Sequence, residues 1–215
     1  MAAPDFKEEQ FSANSLINKV KCELRNLNTE RIDFLQWLYR TEPIEDGLRI
    51  RGLEDSSVEI EEAFSKLLKE GLVGEIGSFP YSIPFGLKVA NKVTSVTGWI
   101  TYFNLLEQEN IKNLPQDYWL IGIRPLAAGS IFQQLDKLEE KEFNQLVLPS
   151  SLTKKEKVNQ ICLAFCLAQK KVTTNILSIN SMAQAESLQL ILRGITSING
   201  SQLERAQELL CKEQI

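Results

Sequence analysis

Five short β-rich runs alternate with helical patterns along this chain, and that alternation limits the fold more than any other feature. The runs are Arg31–Leu38, Leu72–Gly77, Val96–Phe103, Tyr118–Ile123 and Val172–Ile179. Several are almost continuously apolar, as strands buried on both faces are. Strand–helix alternation with short connections means βα units and a parallel sheet. The expected class is therefore α/β, with about five βα units, parallel strands, outer helices and one further helix ahead of the first strand. No Gly-, Ser- or Pro-rich linker divides the chain, and no repeat of about 20–50 residues stands out. Residues 1–11 are read as a flexible N-terminal extension and 12–215 as one domain.

Helix starts are marked by Ser56, Thr153, Ser181 and Ser201. Each stands three residues before a Glu or Gln, the spacing of a capping box in which side chain and backbone satisfy each other's free donors. Gly71, after Lys69 and Glu70, is the expected stop of the helix that Ser56 opens. Ile131–Val147 reads as an amphipathic helix with a heavily charged outer side. Thr41–Ser56 and Pro149–Thr153 read as loops; the first is long and charged, a kind often functional or mobile.

Among 215 residues there is no histidine. This removes the usual general base near neutral pH, Ser-His-Asp and Cys-His catalysis, and His-containing zinc sites. The formal net charge of −4 argues against a dedicated nucleic-acid binder. No apolar run approaches the roughly 20 residues of a membrane span. Met1–Gln10 is polar and acidic and does not read as a signal peptide. The four cysteines contain no CxxC. Cys162 and Cys166, at i and i+4 in an apolar stretch, read as buried small hydrophobes. Reduced thiols in a cytoplasm fit this pattern, with no metal site.

Several segments, taken in order, resemble the aldo/keto reductase family. They are Ser15–Leu38, Ile60–Phe79, Tyr102–Glu109, Leu120–Gly129 and Asn159–Leu188. The resemblance runs from about Ser12 to Leu192 and covers only the family's C-terminal portion, from the helix before its fourth strand. It implies a (β/α) TIM-type barrel that binds NADP(H) at the C-terminal ends of its strands. Such a barrel needs about 250 residues and eight strands, so an incomplete barrel is expected here. The family's catalytic Asp, Tyr and Lys fall in the portion without a counterpart. Its fourth member, a His, falls at Leu38, and leucine offers no proton or hydrogen bond to a carbonyl oxygen.

The cofactor positions implied by the resemblance are mixed. Ser78 stands near the family's Ser-Asn pair, but the Asn is absent. The sixth-strand Gln falls at Ile100, and the aromatic that stacks on nicotinamide falls at Ile123. The loop Arg124-Pro-Leu-Ala-Ala-Gly129 is kept in type; Leu126, Ala127 and Gly129 would let backbone N–H groups approach a pyrophosphate, and Arg124 adds charge. Asn180 and Ser181 stand where a phosphate would be reached, and Gln184 takes the place of the residue that reads the 2′-phosphate. NADP(H) binding is thus expected to be weak or lost.

Each of these residues also has a structural reading. Ser181 and Gln184 serve as a helix cap, Arg124 as a strand-end residue paired with a carboxylate, and Asp33 as a turn or cap residue. Trp37, Tyr39, Trp99 and Tyr102 line a pocket mouth or pack in the core. Lys154–Lys157 reads as a solvated first turn. Glu61-Glu62 and Glu139-Glu140 lie on exposed helix faces with no acid–base role. Two functional classes stay open. One is a binding, scaffolding or regulatory protein without reductase activity; the other is the C-terminal portion of an NADP(H)-dependent oxidoreductase acting on aldehydes or ketones. Five strands cannot close an eight-stranded barrel, so an inner face including Leu35, Trp37, Trp99, Ile121 and Ile123 or their neighbours is expected to lack cover. A protein partner or homo-oligomer is the first expectation for that cover, and the N-terminal segment with the Thr41–Ser56 loop folding over the gap is the other.

Overall fold

The computed structural model describes residues 8–38, 46–137, 140–144, 152–195 and 198–211. Its contacts resolve into two compact units. The first comprises Met1–Thr101 with Asn113–Trp119, the second Tyr102–Lys112 with Leu120–Ile215.

The first unit is built from α1 (Ala13–Asn26), β1 (Ile32–Trp37), α2 (Asp46–Lys69), β2 (Val73–Ser78), α3 (Ile83–Lys92) and β3 (Val96–Tyr102), whose last residue belongs to the second unit. β1 pairs with β2 and β2 with β3, both in parallel. All three strands fall within two residues of the expected runs. Residues 8–11 form a 3-10 turn whose Phe11 is buried edge-on against Trp37, 5.9 Å between ring centres. Trp37 meets Phe64 of α2 in the same way at 5.3 Å.

The expected loop Thr41–Ser56 is corrected from residue 46 onward; residues 41–45 lie outside the described residues. Asp46–Ser56 is the first half of a 24-residue helix, and Ser56 sits inside it rather than capping it. The stripe that buries Ile60, Phe64 and Leu67 continues backward through Ser57, Leu53 and Arg49. A serine and an arginine on that stripe hid its period. Arg49 is only 2% exposed. Its guanidinium lies over the Tyr81 ring at 3.7 Å and pairs with Asp46 at 3.3 Å, while Asp46 also accepts from the Ser82 hydroxyl. Stacking and pairing offset the desolvation of that charge. At its other end α2 stops where expected. Gly71 (φ 72°) donates to Leu68 O and Leu72 to Leu67 O, the two bonds of a Schellman motif.

Trp37 and Trp99 do not form an uncovered inner face. Trp37 packs on Phe64 of α2, and Trp99 packs against Gly86 of α3. Alternation along the strands puts their neighbours on the opposite face. There Gly77 and Gly98 stand in register, and the Trp119 indole lies against both. Its Nε1 donates to Thr97 Oγ1 at 3.2 Å, and Phe34 meets the ring edge-on at 5.3 Å.

The second unit contains α4 (Glu109–Lys112), β4 (Trp119–Ile123, its first residue in the first unit), α5 (Ser130–Lys137), α6 (Glu140–Phe143), α7 (Lys154–Ala168), β5 (Val172–Ile176), α8 (Met182–Arg193) and α9 (Gly200–Leu210). β4 and β5 pair in parallel. Of the expected helix Ile131–Val147, the described residues lie in α5 and α6 and at residue 144, while 138–139 and 145–147 lie outside the described residues. The Thr153–Glu156 capping box is present in both directions. The start of α9 lies two residues before Ser201: Asn199 caps it, with Gln202 as the reciprocal partner. α7 is buried almost all round, and its Phe165 stacks on Phe103 at 5.6 Å.

Gly98→Ala would place a methyl group inside the Trp119 ring. The expected loss is about 1–3 kcal/mol, the usual penalty of overpacking, read as a lower urea midpoint with an unchanged slope.

Glu61 gives a second test. Burial alone would raise its carboxyl pKa, but donors from Ser95 N–H (2.9 Å), Ser95 Oγ (2.8 Å), Thr94 (3.0 Å) and Ser65 (3.4 Å) hold it below the usual value of 4.5. A lowered folded pKa stabilises above the unfolded value and loses that stabilisation as pH falls through the folded one. Glu61→Gln should therefore lower the urea midpoint at pH 7, with the gap to wild type narrowing below pH 4.5.

Candidate functional site

The densest polar arrangement among the expected site residues follows β4. Arg124 has left-handed backbone, φ 60°, immediately after the strand. Its guanidinium lies 4.4 Å from the centre of the Tyr102 ring and 3.7 Å from Glu107 Oε1. The carboxylate reading of Arg124 thus describes its observed contact.

Asn104 organises this turn, and the sequence reading passed over it. Only 1% exposed, it donates from Nδ2 to Arg124 O (2.9 Å) and to Glu107 Oε2 (2.6 Å). Its Oδ1 accepts from the N–H groups of Leu106 (2.9 Å) and Glu107 (3.0 Å). An asparagine side chain bonding two residues ahead is a turn signature. The signal stood in Tyr102–Glu109, read there only for its resemblance.

Beyond Arg124 the chain holds three consecutive left-handed residues: Ala127 and Ala128, both φ 50°, and Gly129, φ 89°. The N–H of Ala127 donates to Arg124 O at 2.8 Å, and that of Gly129 to Leu126 O at 2.9 Å. These N–H groups close the turn on itself instead of facing a ligand.

A cavity of about 420 Å³ lies beside this loop, walled by Leu126, Phe132, Ile179, Ala183, Gln184 and Ser187 among others. It brings Leu126 and Gln184 together. Asn180 and Ser181 stand next to it as the cap of α8: Ser181 Oγ accepts from Gln184 N–H (3.2 Å), and Gln184 Oε1 accepts from Asn180 N–H (2.7 Å). No charged side chain lines the cavity among the described residues.

Ile123 ends β4 and is half-buried; the other expected positions lie in the first unit. Leu38 follows directly on β1 at φ 55°, 1% exposed, with its carbonyl accepting from Phe79 N–H at 2.8 Å. Ser78 is fully buried, and its hydroxyl makes no hydrogen bond. Ile100 is buried too. Asp33 is neither a turn nor a cap residue; it lies within β1 and pairs with Arg31 at 3.6 Å. Among the described residues no group of His, Cys, Asp and Glu is arranged to hold a metal. None of their helices is long and apolar enough to cross a membrane.

The aldo/keto reductase family model matches residues 2–193. The chain belongs to the aldo/keto reductase family. The match begins well before Ser12, which corrects the expectation that the resemblance starts there and is confined to a C-terminal portion. Solved structures share the fold. The holo form of aldo-keto reductase AKR11C1 from Bacillus halodurans superposes with a TM-score of 0.64 at 19% identity, over 93% of this chain and 65% of that one. Its apo form gives 0.62 at 19% identity, over 92% and 69%. A thermostable aldo-keto reductase, Tm1743, in complex with the inhibitor epalrestat gives 0.62 at 16% identity, over 93% and 68%. The chain therefore spans about two thirds of the length of those proteins. No curated protein matches it in sequence.

The thiols offer a direct check on this part of the structure. Cys22 is exposed, whereas Cys162 and Cys166 are buried. Burial pushes the Cys166 thiol up to about 12 and raises Cys162 as well. Only the thiolate reacts. At pH 8 a chromogenic disulfide reagent should titrate Cys22 quickly and Cys162 and Cys166 only after denaturation, while half-buried Cys211, also raised by burial, reacts slowly.

Proposed function

We propose that this aldo/keto reductase-family chain binds rather than reduces, working in the cytoplasm as a scaffolding or regulatory protein with a protein partner or a second copy. The observation that carries this reading is Leu38. It occupies the strand end where the resemblance puts the family's histidine, and it is a buried hydrocarbon with a carbonyl already engaged. Neither proton donation nor polarisation of a substrate carbonyl is available from that side chain. The chain has no histidine elsewhere to take over.

The residues present also suit NADP(H) poorly. Phosphate groups need cations or free N–H donors. The walls of the cavity beside Leu126 hold no cation among the described residues, and Ser181 and Gln184 are engaged in capping α8. Arg124 faces Glu107. The alternative, a portion of an NADP(H)-dependent oxidoreductase for aldehydes or ketones, rests on the Arg124–Gly129 loop and the cavity that Leu126 and Gln184 share.

NADPH oxidation with a panel of aldehydes separates the two. Loss of a general acid alone lowers rates about 10²–10⁴-fold, so no turnover above the enzyme-free rate is expected. Calorimetry should find weak or no NADPH binding, and any that remains should fall in Arg124→Ala. Turnover that survives repurification would replace the binding reading with the alternative.

A further inference from the structure

The cavity that Leu126 and Gln184 share lies wholly within the second unit. Its walls come from the loop after β4, from α5 and α7, and from the chain that runs out of β5 into α8. It therefore sits beside two strands that pair with each other. Its volume is about 420 Å³, and pockets that take small molecules run from roughly 300 to 1,000 Å³. Most of the wall is hydrocarbon, with Leu126, Phe132, Leu163, Leu188 and Ile191 prominent in it. Such a surface gains by exchanging water for an apolar occupant.

The polar groups of the wall disfavour a charged ligand. Ser187 donates from its hydroxyl to Glu156 Oε1 at 3.2 Å. Thr153 gives the same carboxylate its N–H at 2.9 Å and its hydroxyl at 2.8 Å, which holds the Glu156 carboxyl below its usual value and ionised at neutral pH. A full negative charge thus stands one hydrogen bond behind the wall, and an anion in the cavity meets like charge. A cation finds no carboxylate in the wall, among the described residues, to offset its desolvation. Asn159 sets the remaining demand. It belongs to the wall, and its Oδ1 is buried without a hydrogen bond. A buried acceptor left without a donor is costly, and an N–H or O–H on the ligand removes that cost.

We propose that this cavity binds one uncharged, largely apolar small molecule carrying an N–H or O–H donor, of the class of an aromatic amine or alcohol, and excludes nucleotides that bear phosphate. The poor fit of phosphate groups there is the other face of that selectivity. The ligand is distinct from the protein partner of the binding reading. Its test uses neither a reductase assay nor a partner, so the two can fail separately.

The probe is N-phenyl-1-naphthylamine, an uncharged arylamine with one N–H whose fluorescence rises in apolar surroundings. Titrated into the full chain, it should bind. Ring protons of the bound probe should show nuclear Overhauser contacts to the methyl groups of Leu126, Leu163 and Ile191. The compound 8-anilinonaphthalene-1-sulfonate has the same rings with a sulfonate added. It should bind about tenfold more weakly, and Gln184→Lys, which brings a cation to the wall, should narrow that gap. Ala183→Phe fills the cavity from the first turn of α8 and should weaken the arylamine by about tenfold. NADPH should not displace the probe. The contacts, the sulfonate comparison and the NADPH competition use the unaltered chain and are independent of how any variant folds. The proposal is overturned if the arylamine does not bind, if its contacts fall on other residues, if the sulfonate binds as tightly, if NADPH displaces the probe, or if Ala183→Phe binds it unchanged.

Discussion

Parallel pairing is the constraint from which the rest follows. A parallel strand cannot be joined to its neighbour by a tight turn; the chain must cross back through a helix or long loop. In the first unit α2 and α3 make those crossings and lay Phe64, Leu67 and Val89 over one face of the strands. In the first unit Leu38 and Tyr81 take left-handed backbone just after β1 and β2, and in the second Arg124, Ala127 and Ala128 do so after β4. Each non-glycine residue there costs roughly 1–2 kcal/mol, held by the packing of the strands and helices around it.

The strands were legible because short β-rich runs alternate with helical patterns; β3 and β4 are mostly apolar and buried, whereas β1 and β5 carry Asp33, Gln36, Thr173 and Asn175 and stood out by β-propensity and spacing. Helix starts were less legible. Thr153 and Ser181 mark true caps, but Ser56 and Ser201 show that the capping spacing recurs by chance in a polar helix. The first half of α2 stayed hidden because its buried stripe passes through Arg49. Sequence periodicity weighs an arginine as exposed, whereas here Tyr81 and Asp46 make a place for it. The facing of Trp37 and Trp99 was likewise beyond a list of apolar residues, since alternation gives two faces without saying which one meets the helices.

At the candidate site, the order of residue types disclosed the loop after β4 and the cap of α8, and the structure adds how each is engaged. Arg124 is held by Tyr102 and Glu107, and the N–H groups of Ala127 and Gly129 close their own turn. Asn104 joins the two segments with four hydrogen bonds from one amide. Gln10 is the contrasting amide, equally buried in type yet without a partner for its side chain. Neither difference can be read from composition, because both depend on what the fold brings within about 3 Å.

The contact of Trp119 with Gly77 and Gly98 has a consequence for how this chain can change over generations. The indole fits because two registered positions on neighbouring strands both lack a side chain. A larger residue at either glycine displaces the ring, and a smaller residue at 119 leaves a void over two bare backbones. Drift at any one of the three is therefore penalised until another compensates. They should be inherited as a linked set, and a sister sequence that keeps tryptophan here should keep both glycines.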